Sequence, residues 1–290
     1  MDRSTPRPIA VALTATAVAF AGLGVALPIA VDAPPFALYR AALAAGIGEV
    51  DPRTRTLLLG ITGASIAGKW VAHLALLAPL TRGERWAWTA SVAGLASWLA
   101  IDSVVCLAHG AWWNVAYVNL VPLLTFGVLL AIARTGRGAE VAEPPAVTRG
   151  SPAWWAMAVA VAGAVSGLAI AFAGTSPLFG PWRDGLSAAH HGGVEDPRAL
   201  RLAASFFGPI GGSTFAQFVL LGALARHRAS RGDVRALDWS LASFLAWLVP
   251  DCAWSLASDG AFNVLLVNVP FAALALPPLL WARARLASKA

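Results

Sequence analysis

The sequence is short of charge, cysteine and recognisable catalytic motifs, and each shortage narrows its class. Only 12% of its 290 residues are charged and 58% are hydrophobic, with a mean hydropathy of +0.68, which excludes an ordinary soluble domain of this size. The two cysteines, Cys106 and Cys252, both fall in long apolar runs, so we interpret them as small buried hydrophobes rather than a disulfide. The sequence contains no phosphate-binding loop, nucleophile elbow or HExxH string.

Long apolar runs dominate what is present. A helix needs about 20 apolar residues to cross the hydrocarbon core of a bilayer. The runs are continuous rather than alternating, which excludes a β-barrel. The sequence therefore predicts an all-α integral membrane protein with eight spans, at about 8–31, 56–80, 86–108, 112–133, 153–175, 202–225, 236–258 and 261–282.

Arginine and lysine are unevenly distributed between the ends of these spans. In an eight-span topology, fourteen of them fall on the side of the two termini and six on the other side. Positive residues concentrate on the cytoplasmic side of membrane proteins, so both termini are predicted to be cytoplasmic in a bacterial inner membrane. The net charge of +6 therefore reflects topology, and we predict no nucleic-acid partner.

The chain contains an internal duplication. Trp98-Leu99-x-x-Asp102 recurs as Trp247-Leu248-x-x-Asp251, and an aromatic-Arg-x-x-Leu stretch followed by Asp-Pro-Arg also occurs twice, at 39–53 and 182–198. We predict one four-helix repeat at 1–134, a cytoplasmic linker at 135–151 and a second four-helix repeat at 152–290. An even number of spans per repeat gives both the same orientation, so a pseudo-two-fold axis is expected along the membrane normal.

Each repeat carries a polar layer inside its apolar spans. Asp102 lies eight residues before Gly110 and Asn119 nine residues after it, so both are expected roughly 12 Å below the outer turn and facing each other. Asp251 and Asn268 flank their own turn in the same way. A structural Asp–Asn bond, worth about 1 kcal/mol or less, and a ligand-binding role are both consistent with this pattern.

One cation lies within a predicted span. Lys69 is expected to lean towards the Asp102 layer, since helical side chains tilt towards their own N-terminus. Its equivalent in the second repeat is Gln217, which leaves Asp251 without its own cation. This asymmetry makes Asp251 a candidate protonatable group or partner for a cationic ligand. Three deep tryptophans are candidate pocket residues: Trp98, Trp247 and Trp254.

His190 and His191 lie in an outer loop close to Glu195 and Asp196. These residue types bind metals, but the loop lacks a recognised ligand spacing. A solvated loop is the better interpretation, and we predict neither a metal nor a cofactor.

Several short patterns resemble the EXPERA family of four-helix membrane domains, which includes the sigma-2 receptor and the emopamil-binding sterol isomerase. The resemblance covers most of both repeats, and the tandem arrangement is similar to the transmembrane-6 superfamily. It rests on the Pro-aromatic-Arg-x-x-Leu and Asp-Pro outer loop and on these residues: Pro28, Asp32, Gly63-Ala64, Gly208-Pro209, Asn119, Pro122, Asn268, Pro270 and Pro277.

The resemblance implies a cavity in each bundle for a sterol-like or cationic amphiphilic ligand. The isomerases of the family use His and Glu in their membrane helices, whereas no Glu lies in any predicted span here, so isomerase activity is not expected to carry over. Asp102 and Asp251 are the remaining intramembrane acids.

Three functions are consistent with the sequence. The first is a non-catalytic protein that binds a membrane lipid, sterol-like or isoprenoid molecule through Asp102, Asn119, Asp251 and Asn268. The second is a small-solute or proton-coupled transporter or channel in which both acidic layers line one path. The third is a membrane isomerase or terpene cyclase with Asp as general acid. The sequence leaves the ligand's identity and the oligomeric state open.

Overall fold

The computed structural model describes residues 5–133 and 144–288, so residues 135–143 of the predicted linker lie outside the described part. Within that part every regular element is helical, and eight helices are long and apolar enough to cross a membrane, as predicted. They are α1 (Arg7–Ala30), α3 (Pro52–Thr81), α4 (Arg85–Ala108), α5 (Trp112–Ala133), α6 (Pro152–Ala173), α8 (Pro197–Arg231), α9 (Arg235–Ala257) and α10 (Ala261–Ala287).

Two shorter helices follow α1 and α6, namely α2 (Ala37–Ile47) and α7 (Gly180–His190). The aromatic-Arg motif lies on them. Arg40 donates to the carbonyl of Ala33 (2.9 Å) and Arg183 to that of Thr175 (3.0 Å), which ties each short helix to the end of the preceding span. The motif thus has a structural role, because these arginines fix the turn between each span and the short helix that follows it.

The repeated Asp-Pro pair starts the two longest helices. The Asp51 carboxylate accepts from the Thr54 amide at 3.1 Å, and Asp196 accepts from the Arg198 amide at 2.8 Å. The following proline occupies the first helical position in each case. An N-cap carboxylate with proline at the first position is a strong start signal, since proline lacks an amide hydrogen that would otherwise need a partner.

The two sequence halves interleave. The long helices α3 and α8 cross in the centre, and each packs extensively against the first span of its own half, α1 or α6. The third spans cross over: α4 packs mainly against α8, and α9 mainly against α3. The contacts of the two halves therefore correspond pairwise, and neither set of four spans forms a closed bundle on its own.

Small residues permit the closest of these contacts. A Cβ atom on Gly24 would lie 2.5 Å from the Gly63 carbonyl oxygen, and one on Gly211 would lie 2.4 Å from the Gly167 carbonyl oxygen. Glycine at such crossings lets helix backbones approach, which is how spans associate when lipid offers no hydrophobic drive. These contacts hold α1 on α3 and α6 on α8.

The last span of each half contains a π-helical segment near its start, at Val115–Asn119 in α5 and Val264–Asn268 in α10. A π-helix bonds residue i to residue i+5, so it brings residues five apart towards one face. In a regular α-helix, at about 100° per residue, they would be roughly 140° apart. The segments therefore place the two asparagines of each span on a shared face.

Candidate functional site

A cavity of about 380 Å³ lies within the first half. Its walls come from α1, α3 and α5, with α2 across one end and Phe206 and Pro209 of α8 behind it. Thr62 and Trp70 both line it, and eight residues separate them, so it extends about 12 Å along α3. Leu38, Tyr117 and Val121 line it and are also exposed on the outer surface of the helices. The cavity thus opens sideways.

Lys69 contributes the only charged side chain among the described residues that line this cavity. It is fully buried, and its Nζ atom has no hydrogen-bond partner. The ammonium lies over the face of Trp98, 3.3 Å from the ring centroid, and 5.0 Å from that of Trp70. A cation in this position is attracted by the ring quadrupole, so the two tryptophans hold Lys69 at the cavity wall.

No ion pair joins Lys69 to Asp102 within 4.0 Å in the described structure, although both side chains are buried. Trp98 lies one turn before Asp102 on α4, and the Lys69 ammonium lies over its ring face. The observed partner of the ammonium in the described structure is therefore an aromatic ring rather than the carboxylate.

The polar groups at the other end of the cavity belong to Asn114 and Tyr39. Asn114 Nδ2 donates to Asp102 Oδ1 at 2.9 Å and so links the cavity wall to the acid behind it. Burial raises the pKa of the Tyr39 hydroxyl above its ordinary value, and Cys106 and Asp102 raise it further. Tyr39 thus stays protonated and is available as a hydrogen-bond donor.

Asp102 itself lies behind the cavity wall and is only partly satisfied. Its Oδ1 atom accepts from Asn114 and from Cys106 Sγ (3.0 Å). Asn119 interacts with the carboxyl group, but its amide donates to Ser103 Oγ at 3.2 Å. Asp102 Oδ2 has no hydrogen-bond partner although it is buried.

The corresponding acid of the second half has more partners. Asp251 Oδ1 accepts from Asn263 at 2.8 Å, from Asn268 at 2.9 Å and from Ser255 at 3.1 Å, and the carboxyl group also interacts with the Trp247 indole. Asn263 in turn accepts from the Trp182 indole at 2.9 Å. Asp251, which has no cation of its own, thus has more hydrogen-bond partners than Asp102.

Aromatic side chains pack together in the second half. Phe271 packs against Phe218, Phe244 and Trp247, with ring centroids 5.5 to 5.8 Å apart. By the spacing from the repeated Asn, the counterpart of Phe271 is Pro122, which lines the first-half cavity. The second half therefore has an aromatic ring at the position where the first half has a cavity-lining proline.

Two predicted site residues serve the interface between the halves instead. Gln217 Nε2 donates to Ser243 Oγ at 3.0 Å and would touch any Cβ added to Gly68, so it lies where α3, α8 and α9 meet. The Trp254 indole donates to the Val25 carbonyl at 3.0 Å and covers Gly60. Neither residue lines the cavity.

The outer histidines link the halves as well. His190 Nε2 donates to the Ser258 carbonyl at 2.7 Å, and Nδ1 lies 2.7 Å from Thr54 Oγ1. Burial lowers the pKa of His190 below its usual value, and His191 and Arg53 lower it further against opposing effects from the Ser258 carbonyl and Asp51. The described residues contain no group of three or more metal-binding side chains.

Sequence reasoning did not select Asn114, Asn263 or Tyr39 for the site. A signal for the asparagines was present, since each lies twelve residues after its Asp in both halves. Regular helical periodicity separates Asn114 from Asn119, and only the π-helical segment brings both onto one face. Tyr39 belongs to a repeated motif, but its position at the cavity depends on how α2 folds back over the spans.

No protein family, curated protein or solved structure matches this chain. The EXPERA resemblance accordingly stays a prediction from short motifs, and the function has to be argued from the geometry of the site.

Proposed function

We propose that this membrane protein binds an apolar, lipid-like or isoprenoid molecule in the first-half cavity and does so without catalysis. The observation that carries the proposal is the cavity itself, about 380 Å³ with mainly apolar and aromatic walls and a few polar groups. Small-molecule sites have this size and composition, with the polar groups fixing orientation. The sideways opening at Leu38 and Tyr117 supports entry from the bilayer.

The proposal assigns different roles to the two halves. In the first half, Lys69 and Asn114 meet the ligand, and Asp102 orients Asn114 from behind. In the second half, Asp251, Asn263 and Asn268 staple α9 to α10, and Phe271 fills the corresponding space. On this proposal both halves retain the duplicated scaffold, and the first half alone retains the binding site.

A cavity-filling substitution tests this proposal. Pro122→Phe introduces the residue that the second half carries at the equivalent position, and its ring should occupy the cavity. The protein is purified in mild detergent, and bound small molecules are identified by native mass spectrometry. We expect a stoichiometric apolar ligand on the wild type and its loss from Pro122→Phe.

Leu124→Phe is the matched control, because Leu124 is exposed on the same helix and does not line the cavity. It should retain the ligand. A wild-type protein that carries no ligand and takes up none of several lipids and isoprenoids would overturn the proposal, as would equal ligand retention by Pro122→Phe and Leu124→Phe.

The other two hypotheses predict different results. A proton-coupled transporter requires flux into proteoliposomes that Asp251→Asn abolishes, and an isomerase or cyclase requires a new product from a polyprenyl or sterol substrate. Asp102 lies behind Asn114 rather than at the cavity wall, which favours binding over general-acid chemistry.

For topology we propose that both termini are cytoplasmic and that the halves share one orientation about a pseudo-two-fold axis along the membrane normal. The pairwise correspondence of helix contacts and the distribution of arginine support this. Single cysteines at Gly150 and Asp259, introduced after replacing Cys106 and Cys252 by serine, should react with an impermeant thiol reagent from opposite sides of the membrane. Labelling from the same side would contradict the topology.

A further inference from the structure

The choice of lysine at position 69 stands out against the rest of the chain. Of 21 basic residues, nineteen are arginine and two are lysine, Lys69 and Lys289. Lys69 is the one lysine or arginine that is buried within the described residues. Arginine supplies a permanent charge, whereas only lysine can lose its proton and act as a nucleophile. The buried position thus carries the one cationic residue type that can form a covalent bond.

Two donors at the cavity wall lack acceptors. Lys69 Nζ and the Trp98 indole Nε1 are both buried without a hydrogen-bond partner, and both residues line the cavity. Leaving a buried donor unpaired is unfavourable. Oxygen atoms of a ligand in the cavity would supply the acceptors that these donors lack, so the site calls for an apolar molecule that ends in an oxygen acceptor.

We propose that the ligand is an apolar aldehyde and that Lys69 binds it covalently as an imine. The inference rests on the proposed function, because it names the chemical class of ligand for the same cavity. The carbonyl oxygen is first held by the unpaired donors, which brings the carbonyl carbon to Nζ. The apolar tail lies along the aromatic wall formed by Phe20 and Trp70.

The reaction balances without any further reagent. The Lys69 ammonium gives up one proton, and the nitrogen lone pair forms the C–N bond to the carbonyl carbon. The carbonyl oxygen then collects two protons and leaves as water, and one proton remains on the iminium nitrogen. The C=O bond is replaced by C=N, no atom is oxidised or reduced, and the total charge is unchanged.

The charge balance of the site favours an aldehyde over a fatty acid as the ligand. Lys69 and Asp102 together are formally neutral, and both are buried. A carboxylate ligand would add a second negative charge to a region of low dielectric constant beside Asp102, which is costly. An iminium keeps the single positive charge on nitrogen, and Asp102 remains its counter-charge, as in membrane proteins that pair an intramembrane acid with a bound cation.

The small number of lysines makes a direct test possible. In a Lys289→Arg background Lys69 is the sole lysine, and the N-terminal amine is the remaining primary amine. The purified full-length protein is incubated with retinal or with hexadecanal and reduced with borohydride, and the modified peptide is identified by mass spectrometry. Retinal represents isoprenoid aldehydes, hexadecanal represents fatty aldehydes, and retinol and Lys69→Arg are the controls.

We expect the aldehyde skeleton on the peptide that contains Lys69, its complete loss in Lys69→Arg, and a red-shifted retinal absorption before reduction. Labelling by retinal alone identifies an isoprenoid aldehyde as the ligand, and labelling by hexadecanal alone identifies a fatty aldehyde. Labelling confined to the N-terminal amine overturns the proposal. If retinol or a co-purified lipid occupies the cavity but neither aldehyde labels Lys69, the imine is wrong and the binding function stands. If nothing binds, both proposals fail.

If Lys69→Arg does not fold, labelling of the protein that keeps Lys69 still tests the proposal, because mass spectrometry identifies the labelled peptide directly. Pro122→Phe then supplies a second control, because it should block labelling by filling the cavity while leaving Lys69 in place.

Discussion

The hydroxyl of Ser243 donates a hydrogen bond to the main-chain carbonyl of Gly68, 175 residues earlier, at 2.9 Å. Ser243 also accepts from Gln217, so a serine of α9, a glycine of α3 and a glutamine of α8 meet at one point. The bond joins the two sequence halves at the crossing of their longest helices. It therefore belongs to the framework that holds the first-half cavity in shape.

The first prediction concerns this crossing. A Cβ atom on Gly68 would lie 2.7 Å from Gln217 Oε1 and 2.9 Å from Trp247 Cβ. Gly68→Ala should therefore lower the free energy of unfolding by about 1–3 kcal/mol, the usual cost of overpacking. Thermal unfolding in detergent measures the change. Gly22→Ala is the control, because nothing lies within 4 Å of the new methyl group, and it should be neutral or slightly stabilising.

The second prediction separates the two acids. Asp251→Ala removes the acceptor shared by Asn263, Asn268 and Ser255, and we expect a loss of about 1–3 kcal/mol in stability because buried donors are left unpaired. Ligand retention should be unaffected, since Asp251 does not line the cavity. Asp102→Ala should reduce ligand retention through Asn114. Equal loss of ligand in both variants would show that the halves share one site.

The third prediction tests whether Lys69 is retained for stability. The double variant Lys69→Met/Asp102→Asn removes two buried charged groups that lack direct pairing. Burying an unpaired charge is unfavourable, so the ligand-free variant should unfold at an equal or higher temperature than the wild type. The same variant should lose covalent labelling by aldehydes. A marked fall in unfolding temperature would mean that Lys69 is structural.

The fourth prediction is a pH dependence at the outer surface. The folded protein holds His190 neutral with a lowered pKa, so the unfolded chain takes up the proton first as pH falls. The stability contributed by His190 is therefore fully present above about pH 6.5, the ordinary histidine pKa, and is lost as pH falls through the lowered value. In this pH window the unfolding temperature of the wild type should fall more steeply than that of His190→Gln.

His109→Gln is the control for that measurement. His109 is exposed at the end of α4, so this variant removes an exposed histidine instead of a buried one. Parallel wild-type and His190→Gln curves would contradict the prediction.

The sequence was sufficient to predict the eight spans, but it predicted the site only in part. Hydropathy and turn residues located all eight helices, because spans are long and their ends carry signals such as Asp51-Pro52 and Gly110. The duplicated motifs predicted Lys69, Asp102 and Asp251 as candidate site residues. Their contacts were not predictable, because the Lys69 ammonium lies over the Trp98 ring and a π-helical segment rotates Asn114 onto the face of Asn119. The crossing of α4 onto α8 depends on packing between distant segments, which periodicity does not encode.

The exchange of third spans between the halves sets a requirement for biogenesis. During synthesis α3 and α4 enter the bilayer before α8 and α9 exist, so the chain must hold Lys69 and Asp102 in the membrane while their helices lack their main partners. Four inserted spans are an incomplete intermediate with unburied polar surface, exposed to quality-control proteases. Assembly has to await the second half, and a nascent chain arrested near residue 151 should be degraded rather than accumulate as a stable half-protein.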